Sequence, residues 1–146
     1  MTSAVTDLAP DARGDAANLD RLRDAALATL EGMQTAVIGQ TGPMRLLMIG
    51  LIAGGHILLE GPPGVGKTLM VRSLAAATGL SFSRIQFTPD LMPADITGAM
   101  VLVPDENGRN RLEFRKGPVF AQLLLADEIN RATPRPQSAL LEAMQE

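Results

Sequence analysis

The stretch Gly61-Pro62-Pro63-Gly64-Val65-Gly66-Lys67-Thr68 constrains this chain more than any other part of it. It fits GxxxxGK[ST] in full, follows the apolar run His56-Ile57-Leu58-Leu59, and precedes a helical pattern from about Lys67 to Thr78 that Gly79 should stop. Glycines let backbone N–H groups curl around an anion at close range, and the following helix points its positive end at the same place. Gly61, Gly64 and Gly66 supply that freedom. Lys67 offers a point charge to the β- and γ-phosphates, and the Thr68 hydroxyl suits a magnesium ion shared with phosphate oxygens and water. The expected cofactors are therefore ATP and magnesium, with Gly61 to Thr68 and the adjoining Leu69 as the binding residues. By average residue frequencies the bare pattern arises in a chain this long only about once in a hundred times.

The elements around the loop read as an α/β fold. Residues 1–17 are rich in Ala, Asp, Pro and Gly without periodicity, which predicts a disordered leader ahead of Asn18, a helix cap. Leu19, Leu22, Ala26, Leu30 and Met33 follow helical spacing, and Met44, Leu47, Met48, Leu51 and Ile52 do so again after Thr41 and Pro43. Such stripes mean core packing. His56 to Leu59 predicts the first strand of a parallel sheet, Phe82 to Phe87 the second and Leu123 to Asp127 the third. Between the last two, Met100–Val103 and Arg111–Phe114 flank Asp105-Glu106-Asn107-Gly108, which predicts an inserted β-hairpin. A last helix is expected from about Pro136 to the end of the sequence.

The third strand ends in Asp127-Glu128. A strand's C-terminal end beside a phosphate loop is where an acid can meet the metal, so Asp127 joins Thr68 on the magnesium side. Glu128 is placed to polarise the attacking water as general base, with Lys67 as the second catalytic residue. His56 reads as a structural histidine, and Arg131 and Arg135 as solvated charges rather than groups reaching a neighbouring subunit's nucleotide.

Composition limits the remaining possibilities. A net charge of -3 with scattered basic residues leaves no footprint for nucleic acid or an anionic membrane. There is no cysteine, hence no disulfide or thiolate metal site, and no apolar stretch long enough to span a bilayer, so a cytoplasmic location is expected.

Beyond the generic motifs, Gly54-Gly55-His56-Ile57-Leu58-Leu59-Glu60-Gly61 resembles the MoxR family of AAA+ ATPases. So do the run from Arg84-Ile85-Gln86-Phe87-Thr88 to Ile96-Thr97-Gly98, Gly117-Pro118-Val119-Phe120, Leu125 to Ala132, and Gln137 to Glu146. The resemblance covers the chain from about Val37 onward. It implies a P-loop NTPase three-layer α/β sandwich and an ATP-hydrolysing, chaperone-like remodeller assembled as a hexameric ring. A protein client and a partner with a von Willebrand factor A domain are implied too. Val37-Ile38-Gly39-Gln40 is similar to the family stretch lying against the adenine, which adds Ile38 and Gly39 to the binding set. The hairpin around Asp105 to Gly108 resembles an insert facing the ring's pore, and Gln86 or Thr88 is similar to residues that hold the catalytic glutamate inactive.

The sequence stops at Glu146, ahead of the family's sensor strand, arginine finger, fifth strand and helical lid, so residues 18–146 are expected to be a partial core. The family's sheet order, 5-1-4-3-2, puts a missing fourth strand between the first and third. Two other readings stay open: a nucleotide-binding or interaction module without turnover, and a P-loop enzyme outside AAA+, such as a kinase.

Overall fold

Wherever apolar residues recur at helical spacing near the amino end, a helix forms, and three of them close on one core. These are α1 (Ala12–Ala36), α2 (Thr41–Ile52) and α3 (Lys67–Thr78). Met33 of α1, Met44, Leu47 and Met48 of α2, and Met70, Val71 and Leu74 of α3 are buried against one another. The computed structural model describes residues 12–62, 64–104 and 108–145. Of the expected leader, residues 1–11 lie outside the described residues, whereas α1 already starts at Ala12, so Asn18 sits within the helix rather than capping it. Ala12, Ala16 and Ala17 are the best helix formers, which is why the helix extends past the expected cap. Gly79 stops α3 as expected, in the left-handed conformation at φ 70°, and the Leu80 N–H then reaches the Ala75 carbonyl at 3.1 Å.

Strands β1 (Phe82–Gln86) and β4 (Leu123–Asp127) pair in parallel, from Phe82 beside Leu123 to Gln86 beside Asp127. Ser81 and Gln122 fix where the pairing begins. The Ser81 N–H donates to Gln122 Oε1 at 3.0 Å, and the Gln122 N–H donates to Ser81 Oγ at 3.0 Å. Alternation then sends Phe82, Leu123 and Leu125 toward the three-helix core, and Ile85, Leu124 and Ala126 toward a second core. That second core holds Phe87, Ile96 of α4 (Pro93–Thr97) and Leu140 of α5 (Pro134–Ala143). Helices thus cover both faces of the sheet, the three-layer α/β sandwich expected. Helix α5 starts two residues before Pro136 and ends at Ala143, short of the end of the sequence.

The first strand expected from the sequence does not form. His56 to Leu59 carries no ladder hydrogen bonds, and among the described residues β4 pairs with β1 alone. Pairing makes a strand, and among the described residues no strand pairs with this segment. Leu59 still packs against the three-helix core, so the segment keeps its apolar anchor without its ladder.

The inserted hairpin does form, as β2 (Gly98–Pro104) antiparallel to β3 (Asn110–Lys116), with Gly108 at φ 73° in the turn. Asp105, Glu106 and Asn107 lie outside the described residues. Two glycines let the hairpin's root close: a Cβ on Gly98 would stand 2.3 Å from the Arg115 carbonyl oxygen, and one on Gly117 2.3 Å from that of Ile96. Gly98 also has φ 94°. Gly98→Ala is expected to cost at least about 2 kcal/mol, since left-handed strain and a backbone clash add. Gly54→Ala, at φ 64° with open space around it, should cost only about 1 kcal/mol for the conformation itself. Chemical denaturation of both variants checks the difference.

Candidate functional site

The loop after His56–Leu59 is shaped by two glycines. Gly64 and Gly66 have φ 83° and 79°, and a Cβ on either would meet nothing within 4 Å. Gly66 is the residue from which α3 starts, so the N–H groups of Lys67, Thr68 and Leu69 have no acceptor within the helix. Lys67 Nζ turns back over the loop, donating to the carbonyls of Gly61 at 2.6 Å and Pro62 at 3.2 Å. A phosphate would exchange these neutral acceptors for charged ones, which bind an ammonium more strongly. Pro63 lies outside the described residues.

The acidic pair stands at the end of β4. Asp127 Oδ2 accepts from Arg84 Nη2 of the neighbouring strand at 2.7 Å. Among the described residues, Glu128 is the sole non-glycine with positive φ, at 55°. Such a backbone costs roughly 1–3 kcal/mol and persists only where its surroundings over-determine it. Here they do. Glu128 Oε2 accepts from Gln86 Nε2 at 3.2 Å and pairs with Arg131 Nη1 at 3.2 Å. The turn beyond it is tied to α5, because Gln137 Nε2 donates to the carbonyls of Ile129 at 3.1 Å and Ala132 at 2.9 Å.

Of the two residues expected to hold Glu128, Gln86 makes the contact. Thr88 is engaged elsewhere: its side-chain hydrogen bond to Asp90 is the first cause holding that carboxyl below its ordinary value. Arg131, expected to be a solvated loop charge, has a side chain 62% exposed and also pairs with Glu128. His56 keeps the structural part expected of it, through a 2.9 Å hydrogen bond between Nε2 and the Met144 carbonyl.

Lys67, Thr68, Asp127 and Glu128 all line one cavity of about 860 Å³, which runs between His56–Glu60 and β4. Of the other expected binding residues, Gly61, Pro62, Gly64, Val65, Gly66, Leu69, Ile38 and Gly39 do not line it. Ile38 is 91% exposed in the connection between α1 and α2, where Gly39 has φ 79°. Among the described residues no cluster of three or more His, Asp or Glu side chains exists to hold a metal unaided. Thr68 and Asp127 on one cavity therefore fit a cation that brings phosphate oxygens with it, and the open glycine loop fits those phosphates.

Arg84, Arg131 and Gln137 escaped the sequence reading as site residues. A signal existed for the first: Arg84 and Gln86 alternate with Ile85 and Phe87, so a polar pair shares one face of a strand. Arg131 lies three residues from Glu128, ion-pair spacing on a helical turn.

Residues 56–146 match the model of the ATPase family associated with various cellular activities (AAA). The chain is 52% identical over 110 residues to the chaperone MoxR1 of Mycobacterium tuberculosis, covering 75% of this chain and 28% of that protein. It is 48% identical over 118 residues to the uncharacterized protein YeaC of Bacillus subtilis, covering 80% and 36%. A crystal structure of a protein assigned as an ATPase from Cytophaga hutchinsonii superposes with a TM-score of 0.79 at 44% identity, over 91% of this chain and 39% of that one. The chain thus spans about a third of the length of the curated relatives it matches.

Gln137→Ala removes both donors that tie the turn after Glu128 to α5, and it should cost about 1 kcal/mol in urea unfolding. Hydrogen exchange should quicken at Ile129 to Ala132 and stay unchanged in α3.

Proposed function

This chain belongs to the AAA+ ATPases of the MoxR type, and from that premise we propose that it binds magnesium-ATP at the glycine loop, where Lys67 and Thr68 share a cavity with the acidic pair. One observation carries the reading: Lys67 and Thr68 from the loop line the same cavity as Asp127 and Glu128 from β4, although the two pairs lie far apart in sequence.

Lys67 gives up the Gly61 and Pro62 carbonyls and turns its ammonium to the phosphates, joined by the N–H groups that start α3. The Thr68 hydroxyl and Asp127 would hold magnesium, which would supply neutralisation of phosphate charge there. Glu128 accepts a proton from the attacking water once Oε2 is released by Gln86 and Arg131, so these contacts mark a resting arrangement. In a protein of the relatives' full length these residues would serve turnover, within the hexameric, client-remodelling ring with a von Willebrand factor A-domain partner in the cytoplasm that we propose. The name chaperone MoxR1 supports the remodelling part of this reading. No helix among the described residues is long and apolar enough to cross a membrane.

A second reading has its own observation. Among the described residues His56 to Leu59, which leads into the loop, pairs with no strand, so the loop and the acidic pair are not borne on one continuous sheet. That favours nucleotide binding without turnover for this chain by itself.

Thermal unfolding with and without magnesium-ATP tests the binding. At about 100 times Kd the ligand adds roughly 2.7 kcal/mol, and Lys67→Ala should abolish the shift. An unshifted wild-type transition would overturn the proposal. Turnover is tested by Glu128→Gln in a protein carrying the full length of the relatives. ATP binding should persist while hydrolysis falls by about a hundredfold or more, the usual worth of a general base.

A further inference from the structure

Five ion pairs are described in this chain, and four of them link residues at most three apart in sequence, as in Arg23–Asp20 and Arg111–Glu113. The fifth, Arg84–Asp127, spans 43 residues, crosses from β1 to β4, and at 2.7 Å is the shortest of them. It is also the least exposed at its acid, Asp127 being 27% accessible against 52% or more for the acids of the Arg23 and Arg111 pairs. Its position follows from the ladder. Arg84 lies two residues before Gln86, which pairs with Asp127, and Phe82, Arg84, Leu125 and Asp127 alternate onto the sheet face that covers the three-helix core.

Arg84 and the glycine loop stand on opposite sides of β4. The guanidinium on β1 takes Oδ2 of Asp127, and the cavity that Asp127 shares with Lys67 and Thr68 opens on the other side of the strand. No other hydrogen bond to Asp127 side-chain oxygens is described, so Oδ1 keeps its full accepting capacity. A carboxylate fixed by one oxygen presents the other in a set direction, and outer contacts of this kind orient ligands in metal sites. A planar, permanently charged guanidinium suits the task better than an ammonium, because its donors are fixed in a fork.

We propose that Arg84 is a positioning residue for magnesium, holding Asp127 by Oδ2 so that Oδ1 faces the metal bound with nucleotide at the loop. The proposal rests on the nucleotide reading of the cavity and adds to it a residue on the strand beyond Asp127. It also separates the two acids. Asp127 is held from the side away from the cavity by a contact that persists when the metal binds, whereas the contacts on Glu128 must break for it to act.

The test reads binding rather than turnover. ATP affinity is measured calorimetrically on the 146-residue chain in magnesium buffer and in EDTA, for the wild type, Arg84→Ala and Arg84→Lys. In Arg84→Ala the factor by which magnesium tightens ATP binding should fall about tenfold, the lower range for loss of an outer contact to a metal ligand. The EDTA affinity should stay unchanged, and Arg84→Lys should recover part of the loss. An unchanged magnesium factor in Arg84→Ala overturns the proposal. A larger factor also overturns it, by making Arg84 a competitor of the metal for Asp127. An equal loss in both buffers overturns it in favour of a purely structural role. Absence of ATP binding by the wild type in either buffer sinks the nucleotide reading, and the positioning role with it.

Discussion

The parallel ladder between β1 and β4 is the interaction on which the rest of this structure depends. Its five pairs put Gln86 beside Asp127, and the next hydrogen bond, from the Phe87 N–H to the Asp127 carbonyl at 2.9 Å, carries it to the edge of the site. A slip of one residue would turn Asp127 toward the second core and Ala126 toward the helices, because strand side chains alternate faces. Ser81 and Gln122 oppose that slip at one end, and the distinct apolar sets on the two faces oppose it along the whole length. Three of the contacts that define the site, Arg84 to Asp127, Gln86 to Glu128 and the shared cavity wall, exist only in this register.

The site combines parts of unequal rigidity. The amino end of α3 is fixed by Met70, Val71 and Leu74 in the three-helix core, and β4 is fixed by its ladder and both cores. The segment that joins the glycine loop to α2 is tied to that helix by the N–H groups of Ala53, Gly54 and Gly55 and by Ile57 against Gly50, but beyond these it has Leu59 against the core and the His56 hydrogen bond to Met144. Few buried contacts and no ladder make a low local barrier to opening, so motion in this chain should concentrate there.

What could be read from the sequence tracks how local each determinant is. The glycine loop, the span of α3 with Gly79 at its end, and the hairpin rest on residues close together in the chain, and all form where they were expected. The strand expected at His56–Leu59 has the right composition, but a ladder also needs a neighbour, which no local pattern reports. Asn18 is a sound cap by type, yet the alanines before it continue the helix, so the boundary moved. The pairing of Arg84 with Asp127 depends on register across 43 residues, and nothing near Arg84 discloses its partner. The part Gln86 plays toward Glu128 was reachable through resemblance, and the contact falls to it because Thr88 is hydrogen-bonded to Asp90.

The two glycines at the root of the hairpin bear on how such a chain can be altered. With Gly98 against the Arg115 carbonyl and Gly117 against that of Ile96, the strands are clasped where they leave the body of the protein. Beyond the clasp, Met100, Leu102 and Leu112 remain largely exposed, while Phe114 meets the Phe120 ring edge to face at 5.9 Å between centroids, so the hairpin outside that contact contributes little to either core. Its length and side chains are thereby uncoupled from the register of β1 and β4. A foreign recognition sequence grafted outside the Phe114 contact should therefore leave Asp127 unmoved relative to the glycine loop.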